Sequence, residues 1–175
     1  RISPAREAAF FSELGDGESA RGLAPLVDRL ASHWEEVPYA FHVQILEDEL
    51  PNALAIPGGH ILVTEGLLEM AESENELAMV LGHELGHFYH RHHIRRLSRG
   101  LAISVLGSVL LGNHANTDLL SLSTQLTSRG FDRKQETAAD RFGLGLVQAE
   151  YGHVNEAWRF FDRISADMST LEGLS

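Results

Sequence analysis

Hydrophobic and polar positions alternate along this chain with two different periods, and the switch between them locates the elements. From Tyr39 to Glu47, Phe41, Val43 and Ile45 alternate with His42, Gln44 and Leu46. A period of two so rich in β-formers predicts a strand. Pro51-Asn52 breaks it, Ala53 to Ile56 resumes extended structure, Pro57-Gly58-Gly59 turns, and His60 to Thr64 is extended again. The pattern predicts a small sheet with a hairpin, followed by a short helix from Glu65 to Ala71. Upstream, Ser3-Pro4 opens a helix to about Leu14, and a second helix runs from about Leu23 to Trp34.

After Ser73 the period lengthens. Ser73 and Glu76 form the S-x-x-E signature of a helix start. Val80, His83, His87, His90, Ile94 and Leu97 then recur at helical spacing to about Arg99-Gly100, so one stripe carries apolar residues and three histidines. Gly100 to Gly130 reads as a helix plus a loop that joins two long helices, a candidate lid. Asp132 and Gln135 repeat the capping pattern and open a helix through Glu136 and Asp140 to about Ala149, which Tyr151-Gly152 ends. Asn155 caps a last helix with Trp158, Phe161 and Ile164 on its apolar face. Trp34, Trp158 and the pairs Phe10-Phe11 and Phe160-Phe161 read as core anchors.

Composition narrows the class. With 175 residues, 43% hydrophobic and 22% charged, residues 1–175 form one α+β domain, mostly helical. A net charge of −11 argues against nucleic acid and anionic lipid as partners. Cysteine is absent, so any metal must be held by His and carboxylate. The longest apolar run, Leu101 to Leu111, is about half the roughly 20 residues a membrane-spanning helix needs, so no transmembrane segment is expected. The chain begins at Arg1 and reads as a processed product or a segment excised from a longer chain.

The chemistry concentrates in His83-Glu84-Leu85-Gly86-His87. Four helical residues advance by about 40° and 6 Å, so His83 and His87 project together and can share one metal ion. Glu84 sits about 100° around the helix, beside the pair, where it can take a proton from an attacking water. Gly82 and Gly86 allow another element to come close on the flanking side. The helix opened by Asp132 brings Glu136 as a third ligand, and Asp140, one turn on, can accept the free ring N–H of a ligating histidine. His90 lies about 10 Å along the axis from His83 and cannot join the same ion. Arg91, His92, His93, Arg95, Arg96 and Arg99 read as a solvated basic end of the helix.

H-E-L-G-H, followed by E-T-A-A-D at 136–140 and preceded by N-A-L-A-I-P-G-G-H-I at 52–61 and G-L-L at 66–68, resembles the Ste-type and HtpX-like zinc metallopeptidases. This gluzincin family includes the prenyl-protein (CAAX) protease and soluble periplasmic members of the BepA kind. The resemblance implies a zincin-type fold and one zinc ion held by His83, His87 and Glu136. It further implies Glu84 as general base, Asp140 as partner of a ligand histidine, and a place in the bacterial envelope. By the same resemblance Asn52, Ala53, Leu54 and Ala55 border the cleft and bind an extended peptide or protein substrate. Asp132-Arg133 stands where the family has Ser-Arg, and the family's later His-Pro loop has no counterpart before Ser175. The group that steadies the transition state is therefore sought among Tyr151, His153 and Arg133. Two further readings are a metal-stabilised binding or chaperone-like module with an occluded site, and a catalytic fragment inactive without its missing partners.

Overall fold

The computed structural model describes residues 19–94 and 132–172, with side chains from 22–94 and 132–166. The expected helix at Ser3–Leu14, the candidate lid at 100–130 and the apolar run 101–111 lie outside the described residues. Helix α1 (Ser19–Ala31) comes first, then strands β1 (His42–Leu46), β2 (Ala53–Ile56) and β3 (His60–Thr64). Helices α2 (Glu65–Met70), α3 (Glu74–Tyr89), α4 (Arg133–Tyr151) and α5 (Arg159–Glu172) follow. This is the α+β, mainly helical architecture the sequence predicts, with the small sheet beside the helix that carries the histidines.

The sheet runs β1-β3-β2. β2 and β3 form the expected antiparallel hairpin, with Ala53 opposite Val63 and Ile56 opposite His60. Gly58 and Gly59 take φ of 97° and 86° in its turn, values that L side chains resist. β1 pairs with β3 in parallel, from His42 opposite His60 to Leu46 opposite Thr64. That pairing leaves β2 on an edge. Alternation along β1 is as read: Val43 and Ile45 are half-buried while His42, Gln44 and Leu46 are exposed.

Helix α3 is enclosed on all sides, and every residue from Glu74 to Phe88 is buried. Its start matches expectation, since Ser73 Oγ accepts from Glu76 N–H at 3.2 Å. A cap of this kind contributes about 1 kcal/mol. Its continuity does not match. The first helical run stops at Tyr89, because Arg91 takes a left-handed φ of 56°; helical geometry resumes at His92–Ile94, and the expected end near Arg99 lies outside the described residues. That break buries His92 and His93, where a solvated basic end was expected, and leaves Ile94 exposed. His93 packs against Phe88 and Tyr39 with ring centroids 4.6 and 6.1 Å away, so an aromatic pocket draws the chain back. Periodicity cannot register a single positive φ, which is why the sequence suggested an unbroken helix.

Helix α1 lays Leu23, Leu26, Val27 and Leu30 on the core, the i, i+3, i+4, i+7 pattern of a one-faced helix. Helix α4 buries Ala139, Gly143, Leu146 and Val147 against α3. Among the anchors expected from sequence, Phe160 is buried, Trp34 and Phe161 are partly buried, and Trp158 is 49% exposed. Trp158 falls in the turn before α5 rather than inside a helix started at Asn155, so it escapes the apolar face assigned to it. Among the described residues no helix is long and apolar enough to cross a membrane.

Candidate metal centre

Two helices build the site, and small residues let them do so. A Cβ on Gly143 would stand 2.8 Å from the His83 backbone nitrogen, and one on Gly86 2.7 Å from Ala139 Cα and its carbonyl oxygen. Helices α3 and α4 therefore cross backbone to backbone at Gly82–Gly143 and Gly86–Ala139. The opening of α4 is fixed by a reciprocal cap. Asp132 accepts from Lys134 and Gln135 N–H, and the Gln135 side chain accepts from Asp132 N–H. Glu136 then sits in the first turn and Asp140 one turn later, both facing α3.

At the crossing, His83 Nε2 and His87 Nε2 lie 3.0 Å apart. Glu136 brings Oε2 to 3.4 Å from the first and Oε1 to 3.8 Å from the second. Four tetrahedral bonds of about 2.1 Å separate ligand atoms by about 3.4 Å, a value inside the 3.0 to 3.8 Å range of these three groups. His83 Nδ1 donates to Asp140 Oδ1 at 2.8 Å, which leaves Nε2 to face Glu136. His87 Nδ1 stands 3.0 Å from His92 Nδ1. Burial opposes a charged His83, but the bonds to Asp140 and Glu136 and the charge of Glu84 outweigh it and raise its pKa to about 10. A ring so placed reports a site whose field favours a cation.

Glu84 is the second carboxylate near the pair; with His83 and His87 it offers ligand atoms within 4.8 Å of one another. Its Oε2 accepts the Ala55 N–H at 2.7 Å. That bond follows from the strand's parity. Asn52 accepts from Thr64 N–H and donates to Thr64 Oγ1, so Asn52, Leu54 and Ile56 turn their backbone groups toward β3. Ala53 and Ala55 turn theirs outward, toward α3 and the cleft. A cleft of about 340 Å³ runs between Pro51–Leu54 on one wall and Phe160, Phe161 and Ile164 on the other, with His83, Glu84, His87 and Glu136 at its base. A second cavity of about 460 Å³ reaches His83, Glu136 and Asp140 past Trp158 and Leu144.

The sequence pattern of peptidase family M48 matches residues 19–172. The chain belongs to peptidase family M48. Its relatives include the mitochondrial metalloendopeptidase OMA1 of Schizosaccharomyces pombe, 33% identical over 131 residues, which cover 72% of this chain and 38% of that protein. OMA1 of Arabidopsis thaliana is 35% identical over 117 residues, 66% of this chain and 24% of its own length. The beta-barrel assembly-enhancing protease of Escherichia coli is 30% identical over 154 residues, 73% of this chain and 31% of its own. The chain thus spans between about a quarter and two fifths of these relatives. M48 peptidases depend on a metal, and the His83–Glu84–His87 group in this M48 chain could hold one.

The three candidates for steadying a transition state lie elsewhere in this M48 chain. Tyr151 donates its hydroxyl to Glu74 Oε1 at 2.7 Å, at the far end of α3, and burial together with that carboxylate pushes its ionisation up. His153 lies beside Tyr151, with ring centroids 6.5 Å apart. Arg133 lines a separate groove with Tyr89, His90 and Phe142. Sequence reasoning missed His92; its only signal was its place five residues after His87, hidden by an assumed unbroken helix.

Proposed function

We propose that this chain is a single catalytic domain of a zinc-dependent metalloendopeptidase, with His83, His87 and Glu136 as ligands of one zinc ion and Glu84 as general base. The observation that carries the reading is the mutual spacing of His83 Nε2, His87 Nε2 and the Glu136 carboxylate, 3.0 to 3.8 Å, at the base of an open cleft. Glu136 suits the third place better than Glu84, because one Glu84 oxygen is taken by the Ala55 amide. A zinc ion there supplies a Lewis acid that polarises the scissile carbonyl and acidifies a water.

The chain's own groups do the rest. Glu84, oriented by the Ala55 N–H, takes the proton of the attacking water and passes it to the departing amine. Asp140 holds His83 in the tautomer whose Nε2 faces the centre. Residues Asn52, Ala53, Leu54 and Ala55 are the proposed peptide-binding strand: an extended substrate adds to the β2 edge through the outward N–H and C=O of Ala53 and the C=O of Ala55. The Ala55 N–H belongs to Glu84 and takes no part in that pairing. The names of the relatives, all peptidases, do not favour an occluded binding module. The E. coli relative also supports placing the chain in a bacterial envelope.

The test joins kinetics to structure. Glu84→Gln should keep one zinc per chain while peptide cleavage falls at least about 100-fold. A crystal of that variant with zinc and a substrate peptide should show His83, His87 and Glu136 on the ion and the peptide alongside Ala53. Surviving cleavage would reject the base, and Glu136 turned away from the ion would reject the ligand set.

A further inference from the structure

We infer that His92 is a positioning residue that fixes the second ligand histidine: its Nδ1 accepts the Nδ1–H of His87 and so holds His87 Nε2 toward the metal. The inference rests on the proposed role of His87 as a ligand and adds a residue to that centre. The two histidines are held from behind by different groups. His83 Nδ1 meets the Asp140 carboxylate at 2.8 Å, whereas His87 Nδ1 meets the His92 ring nitrogen at 3.0 Å. A ring that offers Nε2 to a metal must carry its proton on Nδ1. His92 Nδ1 must then be bare, with its own proton on Nε2.

The backbone is arranged to deliver this ring. The helix is broken at Arg91, whose φ of 56° costs on the order of 1 kcal/mol for a non-glycine residue, and helical geometry resumes at His92. The turn brings His92 back over His87, 4% exposed and stacked at 16° on His90. It is also pinned on the far side, where His93 Nδ1 donates to the His87 carbonyl at 3.2 Å. A packing role alone would need a flat ring at position 92 but no acceptor.

Two substitutions separate acceptor from packing. His92→Phe keeps a flat ring on His90 and removes the acceptor; His92→Asn loses the ring but keeps an oxygen near the place of Nδ1. In zinc competition with a chromophoric chelator, His92→Phe should bind about 10- to 100-fold more weakly, and His92→Asn should recover most of that loss. Wild-type affinity in His92→Phe, or equal weakening in both variants, would overturn the inference. If His92→Phe does not fold, ¹⁵N NMR of the zinc-loaded 175-residue chain decides: a proton on His92 Nε2 supports the acceptor, and one on Nδ1 overturns it. His83→Ala serves as the control. If it leaves zinc affinity unchanged, the ligand assignment has failed and this inference falls with it. If it loses zinc while His92→Phe binds normally, only the role of His92 is lost.

Discussion

The two halves of α3 meet acidic groups in opposite ways. At its start, Glu74 and Glu76 are almost fully buried and meet cations that the chain itself supplies. Arg29 and the Tyr151 hydroxyl hold Glu74, while Arg163 grips Glu76 and also reaches Glu72 at 3.1 Å and the Met70 carbonyl at 3.0 Å. Two turns later, Glu136 and Asp140 face the same helix, and their partners among the described residues are His83 and His87. The first half is electrically closed and ties α1, α4 and α5 to the central helix. The second half sets Glu136 and Asp140 against histidines, whose charge depends on a proton or a metal ion. One helix thus separates the acidic contacts that hold the fold from those of the proposed metal centre.

The sharpest break of that comparison is a crossed pair of variants. Arg163→Met leaves Glu76 buried without its cation and should cost about 3 to 5 kcal/mol of stability in denaturant melts. The charge it strands lies about 10 Å along the helix from His83, so zinc affinity should stay within about two-fold. His83→Ala should do the reverse, losing zinc while the metal-free protein loses less stability than Arg163→Met does, because the Glu136 and Asp140 side chains left without their partner are 39% and 50% exposed. Equal damage to both properties in either variant would show that the halves are coupled.

Asp140→Asn sharpens the metal half by one atom. The amide keeps the shape but loses the charge behind His83, and zinc affinity should fall by about 10- to 100-fold with cleavage at saturating zinc largely kept. A variant that binds zinc as tightly as the parent would mean that Asp140 does not orient the ring.

The smallest effect concerns acid. Burial works to raise the Glu150 carboxyl, but His33 at 3.0 Å and Arg29 at 3.0 Å outweigh it and hold the pKa below the usual 4.5. A carboxylate depressed on folding lends stability that is fully present above pH 4.5 and is lost as pH falls through the folded-state value. Melting temperature should therefore decline below about pH 4.5, and Glu150→Gln should flatten that decline. An unchanged slope would remove Glu150 from the closed half.

Much of this is legible in the sequence alone. β2 and β3 fall at Ala53–Ile56 and His60–Thr64 as the period of two and the Pro-Gly-Gly turn predict. The starts of α3 and α4 follow from Ser73 and Asp132, because a cap is a local signal. The spacing of His83 and His87, and of Glu136 and Asp140, is a property of any helix, and the glycines at 82 and 86 announced a close neighbour. What stayed hidden was long-range or confined to one dihedral angle. The parallel pairing of β1 with β3 requires a tertiary partner, Arg29 finds Glu74 across 45 residues, and the turn at Arg91 leaves no periodic trace. The buried His92 was lost with that turn, and the exposed Trp158 was misplaced because Asn155 does not start α5.

The backbone crossing at Gly82–Gly143 and Gly86–Ala139 also bears on which substitutions the chain can accept over descent. None of these four residues donates, accepts or titrates through a side chain, yet at Gly86 and Gly143 even one added carbon meets backbone that cannot swing aside. At Gly86 and Gly143 a side chain is refused for reasons of thickness rather than of chemistry.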